Sequence, residues 1–133
     1  MCIRDRFIPF ADRRDYHGKK NIPGAALNGT LDTTNPLAFG MTSDVYSLKF
    51  GSNALKPSAD FQTVGRYARY PHLLASGYAA SSNLFRMSGN AFAGVQPIGQ
   101  GKVVLLLDNT QYRMFWRGPS RMMQNAVMLV GGM

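Results

Sequence analysis

The chain has 133 residues, 45% of them hydrophobic and 17% charged, which fits one compact domain and excludes a two-domain enzyme or a disordered tail. Lys and Arg number 15 against seven acids, for a formal charge of +8. All seven acids are Asp, so zincin helices of the HExxH type, EF-hand loops ending in Glu and Cys-His-Glu triads cannot be built here, and the single Cys2 excludes an internal disulfide and a cysteine-based zinc site.

The opening segment 1–21 is charged and aperiodic, and residues 13–20 read as a solvated loop. No apolar stretch follows its first charges, so it does not form a signal peptide. The start MCIRD resembles translated sequencing-adapter read-through. The expectation is therefore an irregular leader, artefactual in origin, ahead of a fragment of a longer protein. No run approaches the ~20 apolar residues of a membrane-spanning helix.

After the Ile22-Pro23-Gly24 break, Ala25, Leu27 and Leu31 mark a strand ending near Asp32. Asn35-Pro36 starts a turn with the apolar plug 37–40 behind it. Residues 45–50 (VYSLKF) predict a strand with Val45, Ser47 and Lys49 on one face and Tyr46, Leu48 and Phe50 on the other. A loop over 51–60 leads to a further strand at 61–68. Pro71 suits the first position of a single helical turn, and Ser81 the cap of a second short one.

Residues 92–98 and 102–108 flank Gly99-Gln100-Gly101, a β-hairpin signature. The run 103–107 (VVLLL) has no polar alternation and predicts a strand buried on both faces, central in an α/β sheet. Residues 111–116 predict a short helix, interrupted at Gly118 and restarted at Pro119. Residues 121–130 predict a closing helix stopped by Gly131-Gly132. Met122, Ala126 and Leu129 share one of its faces and Met123, Val127 and Val130 the next, which predicts broad packing on the sheet. The fold class is α/β: a partial layered sheet, residues 22–133, with a C-terminal covering helix and an exposed apolar edge.

Candidate chemistry is sparse. Asp108, Asn109 and Thr110 follow the best strand, where α/β sheets bind ligands; they equally suit capping of the next helix. Arg113 and Trp116, three apart, could form a cation–π or substrate platform, or the Trp could be buried under the last helix. His17 and His72 lie far apart in sequence, with no Cys or Glu beside them to complete a metal set. Ser76, Ser88 and Ser120 lack the G-x-S-x-G context of a nucleophile elbow. Gly99 to Lys102 lacks P-loop spacing. Residues 66–70 (RYARY) interleave arginine with aromatics, but strand alternation splits the patch, which argues against nucleic acid.

Five features in order carry a family resemblance: LASGY at 74–78, GQGKVVL at 99–105, Asp108-Asn109, Arg113 with Trp116, and Asn125-Ala126. This series resembles the C-terminal region of large bacterial zinc carboxypeptidases of the carboxypeptidase A-like class. There a class I glutamine amidotransferase-like, flavodoxin-like α/β domain follows the peptidase domain. Residues 22–25 and 32–40 resemble that domain's preceding strand and turn, so the likeness spans about residues 22–131.

The resemblance implies a secreted or periplasmic parent that removes C-terminal residues from peptides, using zinc held by two His and one Glu with a second Glu as base. None of those positions lies in this chain, so it implies zinc only in a missing upstream peptidase domain and no cofactor here. The amidotransferase nucleophile is also missing. The expected role is a non-catalytic accessory fragment that supports the peptidase domain or its peptide substrate. The alternative is a small independent module for carbohydrate or nucleic acid. Within the resemblance Asn125 is expected to bond backbone groups where the last helix meets the sheet.

Overall fold

The structure is a computed structural model that describes residues 9–114 and 116–130, with the side chains of residues 13–15, 17 and 114 outside the description. It is a mixed α/β fold: a six-stranded antiparallel sheet curled into a half-barrel, with a C-terminal helix against it.

The sheet grows from β1 (Ala25–Leu31), whose alternating pattern turns Ala25, Leu27 and Leu31 inward. One edge of β1 pairs along its length with β2 (Asp44–Lys49). Its other edge is shared. The start pairs with β4 (Leu74–Gly77), and the end pairs with β3 (Gln62–Tyr67). Beyond β3 lies the hairpin of β5 (Ala91–Ile98) and β6 (Gly101–Leu106), closed by Gly99 and Gln100 with Gly99 at φ +59°. The strand order is β2-β1-β3-β5-β6, with β4 beside β1, and every pairing is antiparallel. A flavodoxin-like sheet is built on parallel pairing, and none occurs among the described strands.

Two glycines permit the curl. A Cβ at Gly65 would stand 2.6 Å from the Phe92 ring, and one at Gly94 2.3 Å from the Phe61 ring. The bare strands let these aromatics lie flat against the backbone, and the β3–β5 register shifts beside Gly65. Leu27, Leu37, Val64, Tyr67, Leu73, Met87, Phe92 and Met122 build the core.

Among the described residues three α-helices decorate the sheet. The expected loop at 13–20 lies within α1 (Phe10–Lys20), whose last carbonyls accept from the side chains of Tyr78 and Asn83. The second turn is a two-turn helix, α2 (Ser81–Met87). It is capped by Ala80 rather than by serine, and no side-chain bond closes it. Pro71 sits in a turn that leads into β4, a strand the sequence reading placed nowhere. The closing helix α3 (Arg117–Met128) runs through Gly118 and Pro119, because proline in a first turn forfeits no intrahelical bond. The glycine stop at 131–132 lies outside the described residues.

Two expectations are corrected. The VVLLL run is not a central strand: β6 ends the strand order, and Val103 and Leu105 are 41% and 36% exposed. Only Val104 and Leu106 face the core, so the unbroken apolar run marks an edge strand with an open outer face. The closing helix does not pack broadly either. It buries Met122, Asn125 and Val130 beyond its end, whereas Met123, Val127 and Met128 stay exposed. Its neighbours are β2 and the 3-10 turn at Pro36–Ala38, which together cover one stripe. Asn125 fastens that contact, donating from Nδ2 to the Leu37 carbonyl at 3.1 Å and the Phe39 carbonyl at 2.9 Å.

Candidate functional site

Alternation along β2 turns Val45, Ser47 and Lys49 inward and leaves Tyr46 and Phe50 exposed. A lysine in that register must be paired, because an isolated buried ammonium is prohibitively costly. Its partner is Asp108, just past the end of β6. The Lys49 Nζ lies 2.8 Å from Asp108 Oδ1, and the two side chains are only 2% and 4% exposed. Asp108 Oδ2 accepts from Ser47 Oγ and, at 2.6 Å, from the Tyr67 hydroxyl. The Lys49 ammonium also sits 5.5 Å from the centre of the Tyr67 ring.

One carboxylate thus gathers three donors from β2 and β3. Because β2 and β6 are the two ends of the strand order, Asp108 ties the open seam of the half-barrel. Burial, reinforced by the charge of Asp108 and its hydrogen bond, pushes the Tyr67 phenol above its ordinary pKa of 10.0 and keeps it a donor.

A serine beside a lysine, a tyrosine and an aspartate could suggest nucleophilic chemistry. The geometry argues otherwise. Ser47 donates its proton to a carboxylate, and the adjoining void measures only about 10 Å³, walled by Val45, Phe92, Leu106 and Met122. That is barely the room of one water, too little to seat a substrate beside the serine.

The chain's roomier concavity lies outside, between residues 40–46 and the first turn of α3. It is a cleft of about 510 Å³ lined by Tyr46, Trp116, Arg117 and Arg121, with Asp44 on its wall. Tyr46 is 58% exposed. Gly40, at φ +70°, lets the Arg121 guanidinium lie on the chain, where a Cβ would stand 3.0 Å from Nη2. The helix above begins with no side-chain cap at Trp116 and no acid in its first turn.

The four residues singled out from the sequence separate. Asp108 is buried in the seam. Asn109 is exposed, and its Oδ1 accepts from the Gln111 amide, a local turn bond of the capping kind. Arg113 adopts φ +49°, which breaks the expected short helix into a 3-10 turn, and its guanidinium lies 5.3 Å from the Tyr112 ring centre. Trp116 is half-buried on the outer cleft. Ser47, Lys49 and Tyr67 were not singled out as site residues. The signal was present in Lys49, which shares a strand face with Val45.

Tyr67 of the RYARY patch is turned inward to Asp108, while Arg66, Arg69 and Tyr70 are exposed. Among the described residues no three His, Cys, Asp or Glu side chains converge, so they present no ligand set for zinc. His72 is exposed, and the His17 side chain lies outside the description. No described helix is long and apolar enough to cross a membrane. No protein-family model, curated protein or solved structure matches the chain.

Proposed function

We propose that this chain is a non-catalytic accessory module of a zinc metallocarboxypeptidase, supporting the peptidase domain or holding substrate near it. The observation that supports this reading is the fate of Asp108. The one acid at the carboxyl end of the expected ligand-facing strand is buried under three donors, and it serves the closure of the sheet. A group saturated in this way is not available to hold a ligand or to transfer a proton.

The ordered motif series from LASGY to Asn125 supports the family assignment. Within it, the antiparallel half-barrel would be an extension of an amidotransferase-like, flavodoxin-like domain whose parallel strands precede it. The partner would be an upstream peptidase domain of the same polypeptide, secreted or periplasmic, and zinc would reside there. Sequencing upstream of the gene tests this. An in-frame peptidase domain with an H-x-x-E motif is the expected result. A natural start with its ribosome-binding site directly before Met1 would overturn the reading.

A second reading, an independent binding module for carbohydrate or nucleic acid, draws on the aromatic and arginine side chains of the outer cleft. Retention on immobilised polysaccharide, or salt-dependent retention on nucleic acid, would favour it.

A further inference from the structure

We propose that the cleft between residues 40–46 and the first turn of α3 binds a small ring compound that carries a carboxylate or a phosphate. The proposal deepens the second reading and does not depend on attachment to a peptidase.

Two charges carry it. Arg117 and Arg121 both line the cleft, and both are exposed. Among the described residues neither forms an ion pair or a side-chain hydrogen bond; the ion pair there joins Lys49 to Asp108, at a different site. Asp44, the cleft's acid, pairs with neither arginine, so the lining is net positive. The missing Cβ of Gly40 leaves room for the Arg121 guanidinium against the wall. Guanidinium groups bind carboxylate and phosphate through paired N–H donors.

The ring is asked for by the other lining residues. Tyr46 presents an exposed aromatic surface, and Trp116 stands half-buried in the same cleft. Aromatic faces accept a flat base or the apolar face of a sugar. A volume of about 510 Å³ suits a mononucleotide or a short acidic saccharide. Two other concavities among the described residues lack this pairing. The one beside Ser52 and Asn90 carries Arg86, which already donates to the Ser52 carbonyl and to Asn83. The one beside Phe39 and Met128 has no charged side chain.

Trp116 is the chain's only tryptophan, so its fluorescence reports on this cleft. The full chain is titrated with uridine 5′-monophosphate, glucuronate and inorganic phosphate, and with uridine and glucose as neutral counterparts. The expected result is a saturable change with at least one ring-bearing anion, and binding at least about tenfold weaker for its neutral counterpart. Response to the nucleotide alone assigns the phosphate source, and response to glucuronate alone the carboxylate source. Competition by inorganic phosphate places the oxyanion on the arginines. Arg121→Gln and, separately, Arg117→Gln should each weaken binding about tenfold with unchanged circular dichroism. Silence with both ring-bearing anions, equal response to charged and neutral partners, or full affinity in both arginine variants overturns the proposal.

Discussion

Replacing Asp108 by alanine tests the seam directly. The substitution strands the Lys49 ammonium, whose side chain is 2% exposed, and leaves the hydroxyls of Ser47 and Tyr67 without their acceptor. Removing one partner of a buried ion pair costs about 3–5 kcal/mol. Each orphaned hydroxyl adds on the order of 1 kcal/mol. Against a total stability of about 5–15 kcal/mol, Asp108→Ala should lose a third or more of the whole. At this chain length the midpoint of thermal unfolding should fall by roughly 10 °C or more. Lys49→Met removes the cation but leaves the carboxylate two hydroxyl donors, so its cost should be smaller. In the double variant Lys49→Met/Asp108→Leu the pair is replaced by apolar volume, and most of the loss should be recovered. Urea unfolding of the wild type, Lys49→Met, Asp108→Leu and the double variant gives the coupling energy. A coupling of at least about 2 kcal/mol is expected. A loss below about 1 kcal/mol for Asp108→Ala, or single effects that simply add, would refute the assignment of Asp108 as the tie across the sheet's ends.

Tyr67 supplies a pH test. Its folded pKa is raised above the unfolded value near 10.0, so its contribution is complete below pH 10 and is lost as pH rises above it; Tyr67→Phe should flatten that alkaline loss in pH-dependent thermal melts. Asn125→Ala unpairs the Leu37 and Phe39 carbonyls under α3 and should cost about 1–3 kcal/mol by urea titration. Gly94→Ala drives a methyl into the Phe61 ring and to 2.6 Å from the Gln62 carbonyl, and should cost about 1–3 kcal/mol. An unchanged urea midpoint in Gly94→Ala would mean that the two strands are not packed this closely.

Much of the local structure was legible. Period-2 alternation located β1 and β2, because a half-buried strand must segregate its faces every second residue. The hairpin at Gly99 and Gln100 followed from turn chemistry, which is local by nature. One buried feature also followed from residue type, the apolar plug at Leu37 and Ala38, whereas Asn125, expected from the resemblance to bond backbone where the last helix meets the sheet, bonds the turn carbonyls of Leu37 and Phe39 instead. The site was less legible. Alternation grouped Ser47 with Lys49, yet nothing along the chain linked them to Asp108, 59 residues beyond the lysine. Trp116 and Tyr46 likewise meet on one cleft only because α3 lies against β2.

The sequence by itself located five of the six strands and the hairpin turn, and it barred whole classes of chemistry through its lack of Glu and its single Cys. Those properties depend on composition and on contacts between near neighbours. Which strand is central, which face of α3 is covered and where the buried charge finds its partner were decided only in three dimensions. A side chain's burial depends on what the curled sheet brings against it, and the run at 103–107 carries no mark of the face that is left open.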